Sequence, residues 1–369
     1  MKKLILGCVL AACAVSTGHG QRQQVRVLSP EVLADHRVTF RLQAPQAREV
    51  ILTGEFLDDR KNLEQGADGV WTVTVGPIDP ETYHYNFTID GVRTIDPLNP
   101  NLKTGSTAST LSSVLDIPGE TTAFYRGQDV PHGDVRTHWY QSKSLTSLRR
   151  LTVYTPPGYD APGSQARLPV LYLFHGANAD ESAWIRVGRA NLILDNLMAA
   201  GKIKPFIVVM PFGYGVDPNG GPQTENTARF AKDLIDDVIP YIQSRYRTST
   251  DRAQRAIVGL SMGGGEALTI GLNRLDLFSY VGGFSAAIGQ SARFSETFAG
   301  LIADPDTNKK LRLLWVGCGT EDSLFAPNKG FSEFLTANKV THTFKQSGGA
   351  HTWMVWRRYL NEVSPLLFQ

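Results

Sequence analysis

The chain has 369 residues, 42% of them hydrophobic, and 37 Lys and Arg stand against 35 Asp and Glu for a net charge of +2. That length and apolar content suffice for two domains with packed cores and exclude a disordered or fibrous chain. There is no basic block and no stripe of interleaved basic and aromatic residues, which excludes nucleic acid and an anionic membrane surface as partners.

At the amino terminus, Lys2-Lys3 and the apolar run Leu4 to Ala12 read as a signal peptide over residues 1–20, too short to span a bilayer. Two cleavage readings stay open. Leu10-Ala11-Ala12-Cys13 resembles a lipoprotein box that would leave a lipid anchor at Cys13, whereas Gly18-His19-Gly20 before Gln21 suits ordinary release. A secreted or periplasmic protein is expected in either case. Cys8 and Cys13 fall in the leader, so no internal disulfide is expected, and Cys318, just after an apolar strand, reads as a buried small residue.

From Val25 to about Pro118 the periodicity is two. Val38, Phe40 and Leu42 alternate with polar neighbours, as do Trp71, Val73 and Val75, then Tyr83, Tyr85, Phe87 and Ile89. Asp68-Gly69 and Asp90-Gly91 supply hairpin-turn chemistry. Short strands at this spacing predict an all-β sandwich over residues 22–118. Trp71 and Tyr85 read as core at strand spacing, with exposed sugar-stacking platforms as the alternative. Lys103 to Ser113, rich in Ser and Thr, reads as a surface loop or edge, and residues 119–146 as a linker.

Residues 147–369 alternate short apolar runs with helical patterns. The runs are Leu151 to Tyr154, Val170 to Phe174, Phe206 to Met210, Ala256 to Leu260, Tyr280 to Phe284, Leu311 to Val316 and Thr341 to Phe344. Helices are marked by Ile193, Leu194, Leu197 and Met198, and by Phe230, Leu234, Ile235, Val238, Ile239 and Ile242. The fold class expected here is α/β, a mostly parallel sheet with helices on both faces.

Ligands of such sheets bind outside the carboxyl ends of the strands. There the sequence places His175-Gly176-Ala177, Gly259-Leu260-Ser261-Met262-Gly263, Asp322 and His351. G-x-S-x-G between a strand and a helix is a nucleophile elbow: the sharp turn lifts the serine oxygen above the sheet, and small residues on either side let the chain pass itself. A serine hydroxyl needs a neutral imidazole to take its proton, and the imidazole needs a carboxylate to hold its tautomer. His351, approached through Gly348-Gly349-Ala350, is the better base, while His342 lies in a strand and His175 shapes a loop. The order Ser261, Asp322, His351 is that of α/β-hydrolases. Asp322 is preferred over Glu321 partly on the preceding turn and partly on the resemblance below. Ala177 and Met262 are the candidate backbone N–H donors to an oxyanion. This chemistry requires no metal and no organic cofactor.

Leu171-Tyr172-Leu173-Phe174-His175-Gly176, Ile193 to Leu197 with Gly201-Lys202 and Pro205, the elbow, Gly319-Thr320-Glu321-Asp322 and Gly349-Ala350-His351-Thr352-Trp353 together resemble the esterase D superfamily. The likeness extends from about Val130 to Leu367 and, within that superfamily, is to the feruloyl and acetyl-xylan esterases of carbohydrate esterase family 1. It implies an α/β-hydrolase fold with Ser261 as nucleophile, Asp322 as acid, His351 as base and Ala177 and Met262 as oxyanion donors. Tyr83 to Gly91 and Asp96-Pro97-Leu98-Asn99-Pro100 resemble immunoglobulin-like early-set modules of the glycogen-binding type.

Trp184, Phe212 and Tyr214 are candidates for flanking the substrate pocket, with Trp353 beside the base. The reading is a secreted serine esterase removing feruloyl or acetyl groups from esterified plant polysaccharide such as xylan. Two alternatives are an enterochelin-type trilactone esterase and a non-catalytic sugar-binding protein.

Overall fold

The computed structural model describes residues 27–105, 110–289 and 291–369. The expected leader and Cys13 lie outside the described residues.

Two β-sheets form the amino-terminal half. In one, Glu31–Val32, Val38–Gln43, Val70–Val75 and Glu64–Gln65 lie side by side. In the other the order is Lys61–Asn62, Val50–Gly54, Thr82–Ile89, Ser112–Asp116 and Leu102–Lys103, with Val92–Thr94 paired to Thr82–Ile89. Inward-facing Val38, Phe40, Leu42 and Trp71 of the first sheet share one core with Val50, Leu52, Tyr85, Phe87 and Leu115 of the second. The alternation seen in sequence thus reflects one buried face per strand. Trp71 and Tyr85 are core residues: Trp71 Nε1 donates to the Ala44 carbonyl and the Tyr85 hydroxyl to Asp96. The Asp90-Gly91 turn has φ of 46° and 87°, the two positive values of a type I′ hairpin.

The second half is built on an eight-stranded sheet, whose strands we number β1 (Asp134–Ser142), β2 (Ser147–Thr155), β3 (Val170–Phe174), β4 (Ile207–Pro211), β5 (Arg255–Leu260), β6 (Tyr280–Phe284), β7 (Leu313–Gly319) and β8 (Thr343–Ser347). Their order is β1-β2-β4-β3-β5-β6-β7-β8. The first two strands are antiparallel to their neighbours and the other six are parallel. Continuous apolar strands follow from burial on both faces. Along β3, Val170, Tyr172 and Phe174 enter one helix-covered core while Leu171 and Leu173 enter the other.

Residues 119–146, expected as a linker, instead carry a 3-10 turn, Glu120–Tyr125, and the edge strand β1. An edge strand buries few side chains, here Tyr140 and Ser142, so its polar positions dilute the period. The last strand begins at Thr343, two residues later than expected. The helix through Phe230 and Ile242 is one run, Asn226–Arg245, carrying a π segment at Leu234–Val238 and Pro240 within its last part.

One buried contact fixes the sandwich to the catalytic sheet. Arg357, in the helix Trp353–Val363, is fully buried; its guanidinium donates to Glu81 Oε1 at 2.7 Å, the Thr82 carbonyl at 3.1 Å and the Val187 carbonyl at 2.9 Å. The guanidinium also lies 4.7 Å from the centre of the Tyr125 ring, whose hydroxyl donates to the same Glu81 oxygen. Removing one member of a buried ion pair leaves the other desolvated and uncompensated. Glu81→Ala is therefore expected to cost about 3–5 kcal/mol of stability, measured as a lowered urea midpoint at an unchanged m-value.

Candidate active site

Strand β5 runs into the helix Ser261–Asn273 with no intervening residue. At the junction Ser261 has φ +52°, a left-handed conformation that non-glycine residues adopt only where the surroundings impose it. Two glycines permit the turn. A Cβ on Gly259 would stand 2.2 Å from the Gly263 carbonyl oxygen, and one on Gly263 would stand 2.3 Å from that of His175. The strained serine is presented at the carboxyl edge of the sheet.

His351 arrives from the loop after β8, and Asp322 from the loop after β7. These loops are joined by backbone hydrogen bonds from Thr320 N to Ser347 O at 2.8 Å and from Glu321 N to Gly349 O at 3.2 Å. The Ser261 hydroxyl lies 2.9 Å from His351 Nε2, and His351 Nδ1 lies 2.9 Å from Asp322 Oδ2 and 3.1 Å from Oδ1. A carboxylate at Nδ1 selects the tautomer with its proton there, leaving Nε2 to accept the serine proton. The Asp322 side chain is buried, and its Oδ1 also accepts the Leu324 N–H at 2.8 Å. The imidazole is packed edge-on to the Trp356 ring, with centroids 4.9 Å apart. Glu321 is exposed, so the two adjacent acids are distinguished by burial and contact.

The N–H groups of Ala177 and Met262 have no acceptor among the described residues. The Met262 N–H belongs to the first helical turn, where no carbonyl lies upstream to receive it. A cavity of about 190 Å³ opens over Ser261, lined by Gly176, Ala177, Leu260, His351, Trp353 and Trp356 among others. Trp353 is where the sequence placed it. Trp184 is not: its ring is 1% exposed and its Nε1 donates to the Phe174 carbonyl, making it a support beneath the loop rather than a wall. Phe212 and Tyr214 line a neighbouring groove with Val216, Asp217 and Arg229, and Tyr214 reaches the site only through its hydroxyl, which accepts the Asn178 N–H at 2.7 Å. Trp356 was missed, although its place three residues beyond Trp353 puts both on one helix face.

Other titratable groups here are structural. Burial holds His175 below the usual imidazole range; Nδ1–H donates to the Gly176 carbonyl at 2.8 Å and Nε2 accepts the Gly213 N–H at 2.9 Å, so the ring ties two loops together. His342 is bonded to Ser332 and to the Val340 carbonyl. Burial pushes the Cys318 thiol up to about 12, consistent with an inert core residue. Glu266, five residues past Ser261 in the same helix, is fully enclosed; burial drives its carboxyl well above the ordinary range despite the Asn226 amide donating to Oε1 at 2.7 Å. No cluster of His, Cys, Asp and Glu suited to a metal ion occurs among the described residues.

A mostly parallel sheet wound by helices, with an elbow serine bonded to an imidazole at its carboxyl edge, defines the α/β-hydrolase class. Residues 142–367 match the Esterase family model. The chain belongs to this family of carboxylic ester hydrolases. A Xylanibacter ruminicola endo-1,4-beta-xylanase/feruloyl esterase is 36% identical over 346 residues, covering 92% of this chain and 46% of that protein, so the chain spans about half the length of this relative. Among solved structures, the carbohydrate esterase family 1 ferulic acid esterase of Anaeromyces mucronatus, in complex with ferulic acid, is 25% identical at a TM-score of 0.57, covering 66% of this chain and 96% of that one. The enterobactin esterase of Shigella flexneri, at 18% identity, shares the fold with a TM-score of 0.66 over 89% of this chain and 91% of its own.

The elbow has no room for a methyl group at Gly263. Gly263→Ala is expected to destabilise the protein by about 1–3 kcal/mol and to slow covalent labelling of Ser261 by a fluorophosphonate; chemical denaturation and labelling rates check the two effects.

Proposed function

We propose that the chain is a feruloyl esterase, a serine hydrolase that removes aromatic acyl groups from esterified plant polysaccharide outside the cytoplasm. The observation that carries this reading is the Ser261–His351–Asp322 relay, joined within hydrogen-bonding distance and opening into a cavity walled by Trp353 and Trp356. The similarity to the Xylanibacter protein and to the ferulate-bound esterase supports the acyl group.

In this mechanism Ser261 Oγ attacks the ester carbonyl carbon while its proton passes to His351 Nε2. The carbonyl oxygen takes up the negative charge between the Ala177 and Met262 N–H groups. Buried Asp322 stabilises the imidazolium through Nδ1–H. Collapse of the tetrahedral adduct breaks the bond to the alcohol oxygen, which takes the proton from Nε2 and leaves as the sugar hydroxyl. Water, deprotonated by the same imidazole, then releases the carboxylic acid and restores Ser261.

Two variants test the assignment with methyl ferulate and feruloylated arabinoxylan as substrates. Ser261→Ala is expected to lower kcat by roughly 10⁶ and Asp322→Asn by roughly 10⁴, both remaining folded by circular dichroism. A wild-type protein that hydrolyses a catechol trilactone in preference to both ferulate esters would replace this reading with a siderophore esterase.

A further inference from the structure

Three residues of the sandwich line the cavity over Ser261: Glu55, His84 and Lys103. They come from the sheet that faces the catalytic domain. His84 is on Thr82–Ile89 and Lys103 on Leu102–Lys103; Glu55 directly follows Val50–Gly54. The placement is held on both sides. Arg357 grips Glu81 and Thr82, two residues before His84, from a helix that begins two residues after His351. Thr104, next to Lys103, meets Ser182 in the segment after the oxyanion loop, with their hydroxyl oxygens 3.1 Å apart.

The groups within this wall are organised and incompletely satisfied. Glu55 Oε2 accepts the His84 N–H at 2.8 Å, and Oε1 lies 3.2 Å from His84 Nδ1. The ring's other nitrogen, Nε2, is enclosed without a partner. Lys103 is half-buried and makes no ion pair within 4 Å among the described residues. Its surroundings agree: burial lowers the ammonium's pKa against the opposing pull of Glu55, while His84 and Lys103 hold the Glu55 carboxyl, exposed at the cavity rim, below its usual range.

We infer that Glu55, His84 and Lys103 form a substrate wall contributed by the sandwich, which reads a neutral hydroxyl group on the ester being cleaved. The inference rests on the esterase reading above. A hydroxyl donates to the Glu55 carboxylate and accepts from the Lys103 ammonium, so it meets both charged groups at once. A carboxylate in the same place would face Glu55, a cation would face Lys103, and an apolar group would leave the half-buried Lys103 ammonium without an acceptor. The hydroxyl has two possible sources, the phenol of an aromatic acyl group and the sugar that carries it.

Substrate pairs differing in one feature separate these sources. Methyl 4-hydroxycinnamate against methyl cinnamate tests the acyl hydroxyl; feruloyl arabinose against methyl ferulate tests the sugar. Each pair is read as a ratio of kcat/KM on one enzyme preparation, so partial unfolding of a variant cancels. In Lys103→Met and Glu55→Gln at least one ratio is expected to fall about tenfold or more, the loss of a hydrogen bond to a charged group. Lys61→Met, on the exposed strand Lys61–Asn62 away from the cavity, keeps both ratios. A fall in the first ratio assigns the acyl phenol and a fall in the second the sugar, and either supports the wall. Unchanged ratios in both variants, with turnover still dependent on Ser261, overturn the wall and leave the esterase reading intact. Absence of any Ser261-dependent ester hydrolysis overturns both.

Discussion

The architecture depends on the enclosed pair of Arg357 and Glu81. A guanidinium taken wholly out of water is tolerable only with its charge matched, and here one carboxylate, two main-chain carbonyls and the face of Tyr125 engage its terminal nitrogens, leaving Nε without a partner. These partners come from three stretches of chain distant in sequence: the sandwich strand at Thr82, the turn at Tyr125 and the loop at Val187. The charge can therefore be satisfied only when the two halves sit in one relative position. Tyr125 also belongs to the apolar core of the catalytic sheet, so the pair is set into packed surface rather than bridging an open cleft. Since Arg357 follows His351 by six residues, the constraint that seats the sandwich also steadies the base.

Strain and support are paired at the nucleophile. Ser261 adopts a backbone conformation that costs on the order of 1–3 kcal/mol, and the helix it opens is held through the Ala287 N–H donating to the Ser261 carbonyl at 2.9 Å. The acid and base loops, by contrast, hold one another through main-chain bonds, so the Asp322–His351 distance does not depend on the elbow. The relay thus joins two independently rigid pieces across one hydrogen bond, between His351 Nε2 and Ser261 Oγ.

Much of this was legible in the sequence because the residues concerned carry local signals. The central parallel strands are apolar throughout, since both faces are covered, and the elbow glycines flank the serine in a local G-x-S-x-G pattern, although Gly263 is required by the distant His175 carbonyl. Ser261 and Asp322 each follow such a strand, His351 follows the edge strand Thr343–Ser347, and the topology does the rest. What could not be read was whatever depends on contacts distant in sequence. β1 passed for a linker because only alternate residues are buried and it pairs on one side. Trp184 looked like a pocket wall because nothing local shows that its indole N–H is engaged by Phe174 inside the core. Lys103 read as part of a polar surface loop or edge, and no pattern within the sandwich signals that it, Glu55 and His84 border a cavity whose other walls lie some seventy or more residues further along. The periodicity of Thr82–Ile89 identified a strand but not what lies across from it.

Glu266 links this geometry to proton binding. Its carboxyl lies in the helix that begins at Ser261, and burial pushes its pKa well above the ordinary glutamate range. The folded chain therefore holds a proton that the unfolded chain releases above the usual carboxylate range. Its folded-state pKa is raised, so the stability contribution present below the unfolded value is lost as pH rises through the folded one. Enclosing this acid in the helix under the nucleophile thus makes conformational stability depend on pH, and it disfavours a negative charge close to the oxygen that becomes anionic.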